Sequence, residues 1–195
     1  MKHRLILASA SPRRRELLEQ IGAEFEVIPA QGEEIISKDS PEQVVLELSR
    51  QKAQEIAERV QDDNIIVLGA DTVVAYGNQI LGKPKDEQDA QCMLETLSGN
   101  THSVFTGVAM IIREGGRQQC QTFYEETKVT MYPMNKRQIL SYISTGEPMD
   151  KAGAYAIQGK CAVYIESIQG DYNNVVGLPV ARIFQVLQQS GIEIL

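Results

Sequence analysis

Ser9 to Arg15, read SASPRRR, places two serine hydroxyls and three guanidinium groups where a short apolar strand, Arg4 to Ala8, gives way to a helix opened by Ser11-Pro12. The free N–H groups of a helix start, hydroxyls and fixed positive charges together suit a polyphosphate, whose oxygens accept many bonds at once. Cations at a helix N-terminus oppose the macrodipole, so a run of them there calls for an anion. The plain alternative is a solvated basic first turn.

A second group is GADTVV, Gly69 to Val74, in which Asp71 closes an apolar strand read as Ile65 to Gly69. Ligands of α/β sheets gather at the carboxyl ends of strands, so Asp71 is the leading catalytic candidate, against the reading of an aspartate that only caps a turn. GKP, Gly82 to Pro84, returns Lys83 to the same region one hairpin later, where it could hold a phosphate beside a metal bound by Asp71. Glu34, in the acidic stretch with Glu33, could supply a second oxygen ligand of the kind magnesium or manganese prefers. A solvated acidic turn is the default for such a pair. Lys52, alone among apolar helix residues, is ambiguous in sequence.

The third group joins DKAGAYAIQG, Asp150 to Gly159, with GDYNNVVGLP, Gly170 to Pro179. Dense glycines let a backbone approach a flat ligand, and the amide of Gln158 both donates and accepts. Uracil and thymine present a carbonyl beside a ring N–H, both of which a single amide can answer at once, whereas cytosine would meet a mismatch. A tight turn with a surface glutamine is the alternative.

The elements that must position these residues alternate along the chain. Helices are expected from Ser11-Pro12 to about Ile21, from Ser40-Pro41 to about Arg59, from Asp86 to Ser98-Gly99, from Asn135 to Ser144 and from Pro179 to Gln189. Strands are expected at Phe25 to Pro29, at Val73 to Tyr76 and Gln79 to Leu81 around Gly77-Asn78, and as two long alternating strands from Ser103 to Arg113 and Gln118 to Tyr132. A strand pair and a loop at Gly170 to Gly177 follow the glycine-studded segment. The hairpins among interleaved helices predict an α/β fold with a mixed sheet.

The 195 residues, 43% hydrophobic, suffice for a single domain, 1–195, with its own core. The net charge of −7 argues against general affinity for nucleic acid or anionic membrane. No apolar run approaches a membrane span, and MKHRLILASASPRRR lacks the layout of a signal peptide, so the chain is expected to begin near Met1 and to stay in the cytoplasm. Cys92, Cys120 and Cys161 fit reduced, inert thiols, and His102 a hydrogen-bonded structural histidine on a strand.

The segments LASASPRRRELL, GADTVV, LGKPKD, LSGNTHSVFTGV, GEPMDKAGAYAIQG and GDYNNVVGLP, in this order from Leu7 to Pro179, closely resemble the Maf family of nucleoside triphosphate pyrophosphatases. The resemblance implies a mixed, twisted β-sheet flanked by helices, with a substrate cleft between two lobes, as in inosine-triphosphate-pyrophosphatase-like folds. It implies hydrolysis between the α and β phosphates, a divalent cation (Mg or Mn) and a housekeeping role against unwanted nucleotides. For the subgroup ending its late motif in IQG, it implies dTTP and UTP as substrates, with modified pyrimidine relatives. By the same match Asp71 is the proton acceptor, and Arg13, Thr72 and Gln158 bear on substrate choice. Ser9, Arg14, Lys52 and Lys83 are then expected at the phosphates, Asp71 and Glu34 at the metal, and the protein as a homodimer. The runner-up activities are hydrolysis of methylated GTP, as in the sister subgroup, and non-enzymatic regulation of septum formation. Three positions depart from the family pattern: Ala156 stands for a glycine, Glu33 for an aspartate, and Arg15 extends the arginine pair.

Overall fold

The structure is a computed structural model that describes residues 3–195; the expected start near Met1 lies outside them. Its strands are β1 (Arg4–Leu7), β2 (Phe25–Val27), β3 (Ile65–Tyr76), β4 (Gln79–Leu81), β5 (Thr101–Glu114), β6 (Arg117–Met131) and β7 (Ile165–Gln169). They form one sheet in the order β2-β1-β3-β5-β6-β7, with β4 on β3. β1 runs parallel to both β2 and β3, whereas β4 on β3 and β7 on β6 are antiparallel. The helices are α1 (Pro12–Gln20), α2 (Pro41–Arg59), α3 (Glu87–Leu97), α4 (Lys136–Ile143), α5 (Tyr172–Val176) and α6 (Val180–Gln189). The mixed α/β sheet expected from the sequence is therefore present.

The chain divides into two compact units. The first comprises Met1–Asp71, Thr106–Glu125 and Gly177–Leu195; the second comprises Thr72–Phe105 and Glu126–Val176. Each has its own apolar cluster. In the first, Ile6, Ile65, Val67, Ala109 and Ile111 from the strands pack with Ala53, Ile56 and Ala57 of α2. In the second, Ala90, Leu94 and Leu97 of α3 and Ile139, Tyr142 and Ile143 of α4 enclose Val74, Val104, Val129 and Met131.

Two glycines set the depth at which α2 lies on its strands. A Cβ at Gly69 of β3 would sit 2.8 Å from the Ala53 nitrogen and closer still to the Ser49 carbonyl. One at Gly107 of β5 would meet the Leu46 nitrogen at 2.8 Å and the Val45 carbonyl. Backbone thus packs directly on backbone, and a side chain at either position would lift the helix.

Local signals explain most boundaries. Asp86 accepts from the Asp89 N–H at 2.8 Å and starts α3, and Asn135 with Gln138 forms a reciprocal capping box on α4. Gly77, Gly99, Gly115 and Gly116 take positive φ at the turns. Ser11 and Ser40 stand at N-cap positions but their hydroxyls make no capping bond; Pro12 and Pro41 follow them with the φ that a helix start requires.

Four expectations change. Ile65 to Gly69 and Val73 to Tyr76 are one continuous strand, so Asp71 lies within β3 rather than at its end. β5 does not alternate: residues 104–112 are all buried, as befits an interior strand covered on both faces. After Gly159 the chain forms a 3-10 turn, Lys160–Tyr164, and the single strand β7 in place of a strand pair. The segment from Gly170 to Gly177 holds the short helix α5 where a loop was expected.

Candidate active site

Asp71 sits in β3 where its neighbours change. The parallel register with β1 ends at Leu7 opposite Leu68, and the antiparallel register with β4 begins at Val74 opposite Leu81. The aspartate thus keeps the position that the parallel portion of the sheet assigns to ligands, just past the carboxyl end of β1. Its side chain is 13% exposed.

Lys52 comes to it from α2. The lysine precedes Ala53, the residue that rests against Gly69, and its Nζ donates to Asp71 Oδ1 at 2.6 Å. The same Nζ lies 2.8 Å from Glu34 Oε1, so one ammonium joins two carboxylates. With Lys52 19% and Asp71 13% exposed, their pair is screened less by salt than the surface pair of Arg4 with Glu26, at 45% and 48%.

Glu34 belongs to an exposed segment without regular structure, held by one face of α2. Glu55 accepts from the N–H groups of Gln31 and Gly32 at 2.9 and 3.0 Å. The Gln51 amide accepts from the Ile35 N–H at 3.1 Å and donates to the Ile35 carbonyl at 2.6 Å. Glu47 accepts from the Ser37 N–H and hydroxyl at 2.8 and 2.6 Å. These hydrogen bonds hold the Glu47 and Glu55 carboxyls below their ordinary range. Glu47, Gln51 and Glu55 recur every four residues on the helix, which was the available signal for this tether and was not read from the sequence.

Ser9 and Arg14 form the next layer. The buried Ser9 hydroxyl accepts from the Ser11 N–H at 3.2 Å and from Arg14 Nη1 at 3.0 Å, while Arg14 Nε donates to the Gly177 carbonyl at 2.9 Å. Burial lowers the Arg14 pKa below its ordinary value; Asp71 and Glu34 oppose that shift and Arg13 reinforces it. Asp71, Glu34, Lys52, Arg13, Arg14 and Ser9 therefore gather in the first unit. Arg15, by contrast, is exposed and bonds Glu19 one turn on, at 2.7 Å.

Thr72, Lys83 and Gln158 belong to the second unit. Thr72 directly follows Asp71 on β3 and is half-buried; Lys83 is exposed in the loop after β4. That loop is tied to the glycine-rich segment, because the Gly153 N–H donates to the Gly82 carbonyl at 3.0 Å. Gln158 is exposed at a turn closed by the Gly159 N–H on the Ala156 carbonyl, 3.1 Å. Ala156 has no positive φ, so alanine fits where the resemblance leads one to expect glycine; the left-handed alanine is Ala154, at φ 59°.

Outside the site, His102 behaves as its sequence context suggested. His102 is 3% exposed and its Nε2 lies 2.8 Å from the Tyr155 hydroxyl; burial lowers its pKa to about 4, so it is neutral. The three cysteines form no disulfide: Cys161 is buried, while Cys92 and Cys120 are exposed. Among the described residues no helix is long and apolar enough to cross a membrane.

Carboxylates, lysine and arginine thus cluster beside the parallel strand ends of an α/β fold. The Maf-like protein family matches residues 4–190, and the chain belongs to it. It is 59% identical to a dTTP/UTP pyrophosphatase of Agathobacter rectalis, over 97% of this chain and 98% of that one. It is 49% identical to one of Lachnoclostridium phytofermentans, over 98% of each chain. A third, of Bacillus cereus, is 48% identical over 98% of this chain and 97% of its own. In fold, the chain resembles the Ham1 protein of Staphylococcus aureus, with a TM-score of 0.56 at 13% identity, covering 96% of this chain and 99% of that one.

Proposed function

We propose that the protein hydrolyses dTTP and UTP to the nucleoside monophosphate and pyrophosphate. The observation that carries this reading is Lys52 held between Asp71 and Glu34 beside Arg14, in a chain 48% to 59% identical to relatives named dTTP/UTP pyrophosphatase.

Asp71 and Glu34 offer hard oxygen donors at one point, and a single cationic group already lies within 2.8 Å of both. Among the described residues no cluster of three or more His, Cys, Asp or Glu is placed for a metal. Two carboxylates completed by phosphate oxygens and water suit magnesium or manganese rather than zinc. When bound, the divalent ion supplies positive charge against the triphosphate. Asp71 and Glu34 are the residues that would hold it.

In the proposed reaction Asp71 accepts the proton of the water that attacks the α phosphorus, and the α–β bridging oxygen leaves with pyrophosphate. Arg13, Arg14 and Lys52 neutralise the phosphate oxygens, with Ser9 fixing the Arg14 guanidinium, and Lys83 adds a further cation. Gln158 answers the carbonyl and N–H of uracil or thymine, with Arg13 and Thr72 also bearing on substrate choice. The protein is further proposed to act in the cytoplasm as a homodimer that clears non-standard pyrimidine nucleotides.

Purified protein with UTP and manganese should release UMP and pyrophosphate, and in isotopically labelled water the label should enter UMP. Release of UDP and phosphate, or of label in pyrophosphate, overturns the reaction. Preference for methylated GTP over UTP would shift the substrate to that of the sister subgroup.

A further inference from the structure

Gln158 is exposed, yet its backbone is tightly determined. It occupies the corner of the Ala156-to-Gly159 turn, and both flanks of that turn are tied to the same pair of side chains. On the near side the Ala156 N–H donates to the Tyr142 hydroxyl at 3.1 Å. On the far side the Lys160 N–H donates to Glu147, 3.0 Å from Oε1 and 3.1 Å from Oε2. The two anchors are joined, since Tyr142 donates to Glu147 Oε1 at 2.7 Å.

Both anchors stand on fixed structure. Tyr142 is 4% exposed in the last turn of α4, within the apolar cluster of the second unit. Gly146, at φ 74°, reverses the chain after α4 and returns Glu147 toward Tyr142. Burial raises the Tyr142 pKa, with Glu147 adding to the shift, so the hydroxyl keeps the proton it donates. Burial likewise pushes the neighbouring Cys161 thiol up to about 12, leaving it neutral beside the carboxylate. Glycine at 159 belongs to the same arrangement: a Cβ there would lie 2.6 Å from Glu147 Oε2. The glycine of the IQG sequence thus makes room for the carboxylate that holds the turn.

We propose that Tyr142 and Glu147 are positioning residues for base selection, fixing the two flanks of the turn that presents the Gln158 amide. The proposal rests on the reading of Gln158 as the residue that selects the base. An exposed amide can discriminate uracil from cytosine only if its orientation is settled before the base arrives; otherwise it rotates to suit either edge. A hydroxyl and a carboxylate that bond backbone groups two residues before and two after the glutamine hold the backbone from which that amide projects, narrowing the positions it can take.

The test compares kcat/KM for UTP and CTP, with manganese activation measured in parallel, in Tyr142→Phe, Glu147→Ala, Glu147→Gln and Gln158→Ala. Tyr142→Phe and Glu147→Ala should each lower the UTP-to-CTP ratio about fivefold or more, mainly through KM for UTP, the effect expected for losing a hydrogen bond of ordinary strength. The manganese concentration for half-activation and kcat at saturating UTP should stay within about twofold. Glu147→Gln, which keeps one acceptor, should retain part of the discrimination. In a Gln158→Ala background the Tyr142 and Glu147 substitutions should leave the ratio unchanged, because they act through that residue. Should Gln158→Ala itself leave the ratio intact, the reading of Gln158 falls and the proposal with it. Should Gln158→Ala lower the ratio while folded Tyr142→Phe and Glu147→Ala do not, or do so equally without Gln158, the clamp alone is overturned.

Discussion

Lys52 Nζ lies 2.6 Å from Asp71 Oδ1, and this pair is held at a fixed depth because Gly69, two residues before the aspartate, lets α2 settle onto β3. The contact orients the carboxylate before any substrate arrives.

Asp71→Asn retains shape but loses proton affinity. Turnover of UTP should fall about a hundredfold or more, the usual contribution of a general base, while nucleotide binding survives. Single-turnover kinetics with an equilibrium binding assay would check this; near-normal turnover removes Asp71 from the role.

Lys52→Met withdraws the positive charge between Asp71 and Glu34 while roughly keeping the length of the side chain. Without nucleotide, manganese should bind several-fold more tightly, since the ammonium no longer competes for the same two carboxylates. With nucleotide, turnover should drop. Titration of free manganese by electron paramagnetic resonance measures the first effect, and unchanged affinity would argue against a shared carboxylate site.

Gly69→Ala should cost about 2 kcal/mol or more, because the methyl meets backbone rather than a side chain that can move aside. Folded protein should also lose activity, since lifting α2 separates Lys52 from Asp71. Urea unfolding and UTP hydrolysis measured on the same samples would show whether both effects occur together.

Gln51→Ala frees both backbone bonds of Ile35 and loosens the segment that carries Glu34. The manganese needed for half-activation should rise several-fold, with kcat at saturating metal nearly unchanged. A fall in kcat with no change in metal demand would separate Gln51 from Glu34.

His102 makes stability depend on pH. Its folded-state pKa of about 4 lies below the ordinary 6.5, so below 6.5 the unfolded chain takes up a proton that the folded chain refuses. The stabilisation is complete above the unfolded value and is lost as pH falls toward 4, amounting to about 2 kcal/mol by about pH 5. His102→Gln should flatten that part of the stability profile. Urea midpoints for both proteins across this range decide the matter, and parallel profiles would refute it.

The fold was legible wherever a local signal sets a boundary. Asp86 and Asn135 cap their helices through their own side chains, and glycines at 77, 115 and 116 turn the hairpins. β5 was misread as alternating because its polar residues, among them His102 and Thr106, are buried rather than facing solvent. The resemblance brought Asp71 and Glu34 to one metal, but the direct contact of Lys52 with both carboxylates could not be seen in the sequence. It joins Lys52 to Asp71, 19 residues apart, through a helix depth that the contacts at Gly69 and Gly107 fix. Glu147 stood within a recognised motif without being singled out, since its carboxylate serves backbone groups 13 residues onward.

Helix α2 carries its three duties on neighbouring faces: Ser49 and Ala53 press the strands, Lys52 reaches the carboxylates, and Glu47, Gln51 and Glu55 hold the loop. A residue inserted between Glu47 and Glu55 would rotate everything beyond it by about 100°, pulling all three out of phase at once. One extra residue at the exposed Gly115-Gly116 tip would disturb nothing comparable. The chain should therefore tolerate changes of length at its hairpin tip and none in the middle of this helix.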